Sequence, residues 1–266
     1  SAMAQQIPLT EQNQAFELLK DYVNHINIFS LLSTFPVGIP SIMAPGVIEN
    51  PLGIPVDINV SSTLVAFGCM FLIYLVGLLL ATFFFNRLAR LSDPSANRLS
   101  FKTLFWQYLQ ILSFSIWLFI ILFVIILPGI FIISVIQFFS AVIGQILLFL
   151  FIFVILWLGF PLIFTPHGIF TYNQNVFSSA LTSYRMVRFA LPNSSLFISI
   201  VILVYLGSLG LWFTPPESSW LIVAGIAGHA FLFSGLMVST FYYYRGSINW
   251  MREIIKRSAQ PPARTI

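Results

Sequence analysis

One run of the chain, residues 103–184, contains no Asp, Glu, Lys or Arg. An α-helix rises about 1.5 Å per residue and needs about 20 apolar residues to cross the ~30 Å hydrocarbon layer of a bilayer. The run is therefore too long for one crossing and has to turn back within itself. Turning at Pro128 would leave a single helix of roughly 50 Å, so a turn between Gln137 and Gln145 is favoured. Pro128 then becomes a kink inside a membrane helix.

The composition extends this conclusion to the whole chain. It is 58% hydrophobic and 8% charged, with a mean hydropathy of +0.94, whereas a soluble domain carries about 25% charged residues. A soluble enzyme, a disordered chain and a nucleic-acid-binding module are excluded, and Cys69 is the sole cysteine, so no internal disulfide is expected. The sequence predicts an all-α protein, a polytopic transmembrane helical bundle.

Six crossings and an interfacial helix account for the apolar runs. Residues 10–27 are predicted to form an amphipathic interfacial helix, and further amphipathic elbow helices are expected between the hairpins. The first crossing is irregular because Pro36 and Pro40 interrupt it. A partly inserted hairpin is the alternative there and would reduce the count to five. The predicted spans are residues 28–44, 60–86, 108–136, 146–165, 195–213 and 219–244, followed by a loose tail at 258–266.

The charges fix the predicted orientation. With six crossings, all 12 Lys and Arg residues fall on one side, and the opposite loops contain only Glu49, Asp57 and Glu217 as charged residues. Basic residues stay on the cytoplasmic side of a membrane. The sequence therefore predicts a multi-pass protein of the cytoplasmic (inner) membrane with both termini in the cytoplasm.

The residues at membrane depth give little sign of catalysis. No charged residue falls inside a predicted span, which argues against an ion-coupled carrier and against a two-aspartate protease. Amides such as Gln107 are expected to form hydrogen bonds between helices. His25, His167 and His229 lack the spacing of a metal site, and His229 is the only one placed inside a span. No catalytic residue, cofactor or metal is predicted, and the protein is not expected to be an enzyme.

The basic residues at the cytoplasmic boundary are the better functional candidates. In residues 173–192, the side chains of Phe177, Leu181 and Val187 share one face, with Arg185 and Arg188 near the lipid boundary. Anionic lipid headgroups are the natural partner of such a segment. The alternative is that these arginines only set the topology. The candidate site residues for a lipid or a protein partner are Arg87, Arg90, Arg185, Arg188 and Arg245.

Two short motifs resemble a known group. Residues 178–188 resemble the Ala-Leu-x-x-Ser-x-x-Leu-x-Arg signature of bacterial six-span membrane domains found beside glycerophosphodiester phosphodiesterases, a group distantly related to the Yip family. Residues 241–245 are similar to its aromatic-Tyr-x-x-Arg close, although a tyrosine replaces the acidic residue often seen there. The resemblance implies six spans and a role in organising or assisting within the membrane. It carries over no catalytic residue.

Two functional hypotheses remain open from the sequence. The first is a non-catalytic integral membrane protein that binds anionic lipid, a protein partner or a second copy of itself through basic cytoplasmic elbows, and does not bind nucleic acid. The second is a transporter or flippase for an apolar or lipid-like substrate, suggested by Pro128, Pro161 and the scattered amides. A continuous polar groove between the helices would favour the second.

Overall fold

The computed structural model describes residues 32–39, 51–52, 62–93, 100–216 and 218–259, and all regular structure among them is helical. Eight α-helices lie in these ranges. The prediction of an all-α membrane bundle is confirmed. The helices are α1 (Thr63–Leu91), α2 (Phe101–Ile121), α3 (Leu127–Phe139), α4 (Ala141–Gly159), α5 (Thr165–Tyr172), α6 (Val176–Phe189), α7 (Leu191–Trp212) and α8 (Leu221–Ala259).

Among the described residues, five helical segments are long and apolar enough to cross a bilayer. Two of them combine elements, because a π-helical turn joins α2 to α3 and a 3₁₀ turn joins α4 to α5. The five are Leu64–Leu91, Phe101–Phe139, Ala141–Tyr172, Leu191–Trp212 and Leu221–Ser258.

The first predicted span is described only at residues 32–39, which form turns and bends rather than helix. They pack on α1, where the Tyr74 hydroxyl donates to the Phe35 carbonyl at 2.9 Å and Val37 is buried. The rest of residues 28–44, the predicted interfacial helix at 10–27 and residues 260–266 of the predicted tail lie outside the described part of the chain. The tail's first two residues, 258 and 259, belong to α8.

The long uncharged run turns at Ser140, inside the stretch that the sequence favoured. The Ser140 side chain accepts from the Ile143 amide at the start of α4, which suits a helix N-terminus. Pro128 lies within a continuous helical path, directly after the π-helical turn Leu122–Ile126. A proline removes one backbone donor and crowds the carbonyl four residues earlier, so a widened turn at this point relieves the clash.

The helices pack tightly at one end and separate toward the other. Two apolar clusters form that end, one containing Leu78, Phe85 and Ile111, the other containing Met186 and Ile248. Away from it, α3 and α4 pack mainly on each other and α7 packs on α8. The outer surfaces of these hairpins are exposed and apolar, as expected for helices whose surroundings are lipid.

Glycines set the spacing within the hairpins. A Cβ at Gly144 would lie 2.5 Å from the Gln137 Cβ and 2.6 Å from its Cα, so α3 and α4 are in near backbone contact there. A Cβ at Gly228 would overlap the side-chain ring of Trp212, so Gly228 leaves room for this ring between α7 and α8. Small residues allow membrane helices to approach closely where no hydrophobic driving force acts between them.

Replacing Gly144 with leucine will separate the tips of α3 and α4, because backbone at Gln137 occupies the space and cannot rotate away. With spin labels at the exposed positions 131 and 149, in a Cys69→Ala background, the distance should grow by roughly 2 Å or more, since interhelical spacing follows the contact side chains. Gly159→Leu is the matched control on the same helix, where nothing lies within 4 Å of the added Cβ. Equal distances in both variants would contradict the close contact.

Candidate functional site

A chain of side-chain amides, buried at Asn86 and Gln107 and exposed at Asn173, joins the helices where they meet. Asn86 of α1 donates through Nδ2 to Gln107 Oε1 of α2. Gln107 Nε2 donates to Asn173 Oδ1 at 2.7 Å, just after α5. Asn86 and Gln107 are each 1% exposed. Buried polar groups are costly unless they are hydrogen-bonded, so this chain fixes the relative position of three segments.

A second polar group lies between α5, α6 and α8. His167 Nε2 lies 2.7 Å from Thr240 Oγ1, and the Ser179 hydroxyl donates to the Thr165 carbonyl at 2.6 Å. Gly168 provides the room for this junction. A Cβ there would overlap Ser179 Oγ and would lie 2.8 Å from Tyr244 Oη. The arrangement therefore depends on a residue without a side chain at position 168.

These groups are suited to holding helices together. Gln107 forms hydrogen bonds between helices, as the sequence analysis predicted. His167 follows the predicted span end at 165, lies in the helical segment Ala141–Tyr172 and is buried. Pro161 and Pro166 start helical turns there, so the segment extends past the predicted end at 165. Among the residues that the structure describes, no three His, Cys, Asp or Glu side chains are grouped to hold a metal.

Arg245 binds residues that follow the end of α1. Its Nη2 lies 3.0 Å from Asp93 Oδ2, and its Nη1 donates to the Ser92 carbonyl. Tyr242, on the same helix, donates to the Leu91 carbonyl at 3.3 Å. Arg245 therefore pins the end of α1 to α8, and its guanidinium is engaged by protein groups.

A double-mutant cycle on Asp93 and Arg245 should give a coupling energy of about 1–2 kcal/mol, because both side chains are only 24% exposed and the arginine is further hydrogen-bonded. Thermal or denaturant unfolding in detergent would measure it. The Glu253 and Arg257 pair on α8 is the matched control, since it is longer, at 3.8 Å, and far more exposed. Its coupling should be below about 0.5 kcal/mol. If the two pairs gave equal coupling energies, Arg245 would not hold the end of α1 to α8.

The two arginines of α1 lie in different settings. Arg90 Nε donates to Asn86 Oδ1 at 2.8 Å, so it extends the amide chain toward the helix end. Arg87 is exposed, with its guanidinium carbon 5.0 Å from the centre of the Phe83 ring. Neither residue lines the same cleft as the arginines of α6.

Helix α6 brings the remaining two candidates together. Its N-terminus is fixed twice, since Asn175 Oδ1 accepts from the Ser178 amide at 2.8 Å and Gln110 Oε1 accepts from the Val176 amide at 3.0 Å. Ser179, Ser183, Met186 and Val187 form its buried face. With 14 residues, it is about 21 Å long and too short to span a bilayer.

The opposite face of α6 carries a basic cleft of about 630 Å³. Arg185 and Arg188 are both exposed there, one turn apart. Apolar and aromatic side chains form the rest of the cleft wall, so the two arginines border an apolar surface. The sequence placed Val187 on this face, but the structure buries it against the second apolar cluster. The basic cleft is lined by Leu181, Tyr184, Arg185, Arg188 and Phe189.

The helices define a multi-pass α-helical membrane protein. Comparisons with protein families, with curated proteins and with solved structures found no match. The resemblance to the membrane domains found beside phosphodiesterases stays a prediction. The case for function therefore rests on the geometry of this chain alone.

Proposed function

We propose that this protein is a non-catalytic integral membrane protein that binds anionic lipid headgroups at the basic cleft of α6. The observation that carries the proposal is the pairing of Arg185 and Arg188, both exposed, on one short amphipathic helix between two spanning segments. Of the five candidate arginines, these two line one cleft together. Arg90 and Arg245 are instead bonded to protein groups.

The chemistry of the cleft fits a lipid phosphate. A guanidinium presents a planar fork of donors that matches phosphate oxygens, and it is more weakly hydrated than an ammonium. A basic side chain near an anionic membrane surface contributes about 1 kcal/mol of attraction. The neighbouring Leu181 and Phe189 give the cleft an apolar wall that a headgroup attached to acyl chains can use.

The proposed site faces the cytoplasm of a cell with an inner membrane. Arg87 and Arg90 end α1, and Arg252, Lys256 and Arg257 follow the apolar part of α8. These residues and the α6 arginines flank the end where the helices pack together. The rule that basic residues remain on the cytoplasmic side supports this orientation.

Reversing both charges in the cleft, with Arg185→Glu and Arg188→Glu, should weaken binding of dioleoyl phosphatidylglycerol by about several hundred-fold. Two attractive contacts become repulsive, which changes the interaction by roughly 3–4 kcal/mol. Native mass spectrometry of the purified protein in mild detergent, titrated with this lipid and separately with dioleoyl phosphatidylcholine, measures the change.

The control reverses two exposed charges elsewhere. Lys256→Glu with Arg257→Glu alters net charge equally, and both side chains are exposed at the end of α8. Anionic lipid should bind this variant nearly as well as the unmodified protein. A similar loss in both variants would mean that net charge alone attracts the lipid, and undiminished binding in the α6 variant would refute the proposed site.

The alternative function, a transporter or flippase, requires a polar path between the helices. The buried amides and hydroxyls described above instead bond to one another or to backbone at the packed end of the helices. The pairing in α6 therefore gives lipid binding the stronger support.

A further inference from the structure

The outward face of α6 continues past the basic cleft as an apolar strip. Phe177, Leu181 and Arg185 follow one another at intervals of four residues, so they lie along one flank of the helix. Phe177 is 72% exposed and Leu181 is 50% exposed. The flank thus has a charged end and an apolar end.

The apolar end touches a membrane-spanning helix. The Phe177 ring meets the Trp117 ring of α2 edge-on, with centroids 6.4 Å apart. Beyond Trp117, the same side of α2 continues with Ile120, three residues later, which is exposed. The exposed Val124 follows in the π-helical turn. An apolar surface therefore runs from the arginines of α6 onto a helix that crosses the bilayer.

The geometry points to an acyl-chain track: Leu181, Phe177, Trp117 and Ile120 hold a hydrocarbon chain of the same anionic glycerophospholipid whose phosphate lies on Arg185 and Arg188. This inference rests on the proposed function and adds to it the nature of the ligand. The occupant is a membrane lipid with full-length chains, because a soluble phosphate would contact the cleft alone.

Charge and length both fit that occupant. The two guanidinium groups complement a phosphate at one end, and none of the track residues carries a charge. From Arg185 to Phe177 the helix rises about 12 Å, which is less than half of the ~30 Å hydrocarbon layer. A lipid with its headgroup at the arginines therefore has chain enough to reach Trp117.

The test removes the track and keeps the cleft. With Phe177→Ala and Ile120→Ala, which leave every residue of the basic cleft in place, the dissociation constant for dioleoyl phosphatidylglycerol should rise about ten-fold, since lost apolar contact of about 1.4 kcal/mol corresponds to that factor. Binding of dihexanoyl phosphatidylglycerol, whose chains are too short to use the track, should be unchanged. Native mass spectrometry of the full chain gives both constants, and a melting curve in the same detergent checks the fold.

Phe231→Ala with Ile200→Ala is the matched control, because it removes the same two side chain types from exposed positions on α8 and α7. It should leave both constants unchanged. If the track variant binds the long-chain lipid like the unmodified protein while Arg185→Glu with Arg188→Glu does not, the track is wrong and the headgroup site stands. An equal loss in the control also overturns the track. If the charge reversal has no effect either, the proposed function itself fails.

Discussion

Replacing Gln107 with leucine will lower the melting temperature of the detergent-solubilised protein by about 5–10 °C. The Gln107 amide is the middle member of the amide chain, accepting from Asn86 and donating to Asn173. Leucine has a similar volume but leaves the buried Asn86 amide without its acceptor, and it removes the bond that ties α2 to the exposed Asn173. Each unsatisfied buried group costs about 1–3 kcal/mol, and each kcal/mol lost shifts the melting temperature by roughly 2–4 °C in a protein of this size.

Gln145→Leu is the matched control for that measurement. Gln145 is also an amide in an apolar helix, but it is exposed near the tip of the α3–α4 hairpin. Its replacement should leave the melting temperature within about 2 °C of the starting value. If Gln107→Leu melts no lower than Gln145→Leu, the amide chain does not hold α1, α2 and the α5 end together.

Introducing valine at Gly168 will destabilise the protein by about 3 kcal/mol or prevent its accumulation in the membrane. The new Cβ would overlap Ser179 Oγ and approach Gln174 Oε1 to 2.7 Å and Tyr244 Oη to 2.8 Å. Overpacking of this kind costs about 1–3 kcal/mol. Displacing Ser179 also breaks its hydrogen bond to the Thr165 carbonyl, which adds about 1 kcal/mol.

Gly246→Val tests whether a β-branched residue is harmful in itself. Gly246 lies in α8 with nothing within 4 Å of an added Cβ, and valine is a slightly better helix former than glycine. The Gly246→Val variant should have the same yield of folded protein and the same melting temperature as the starting protein. The smaller change Gly168→Ala should fall between the two valine variants, and a Gly168→Val protein of normal yield and stability would contradict the close packing.

Helical class, the turn at Ser140 and the helical path through Pro128 could be predicted from the sequence, because each depends on local chain length, hydropathy or backbone chemistry. The amphipathic helix α6 and the exposed positions of Arg185 and Arg188 could also be predicted. In each case the deciding information lies within a few residues along the chain.

What could not be predicted depends on partners far apart in sequence. Arg245 was predicted to contact lipid, but its guanidinium forms an ion pair with Asp93, which follows the end of α1. Val187 was predicted to lie on the outward apolar face, but the structure buries it in a cluster with residues of other helices, such as Ile198 and Ile248. His167 lies past the predicted span end at 165, yet α5 continues the helical segment there and brings the His167 ring 2.7 Å from Thr240 Oγ1. Periodicity gives the angle of a side chain on its helix but not which neighbour stands there.

The unequal packing of the two ends has a consequence for how this sequence can vary. On the outer surfaces of α3, α4 and α7, one apolar residue can replace another at little cost, since lipid accepts any of them. At Asn86, Gln107 and Gly168 the identity of the side chain matters, because each is fitted to particular atoms. Apolar residues on the outer surfaces of α3, α4 and α7 should therefore be interchangeable, whereas the residues that join the helices at the packed end should tolerate few substitutions.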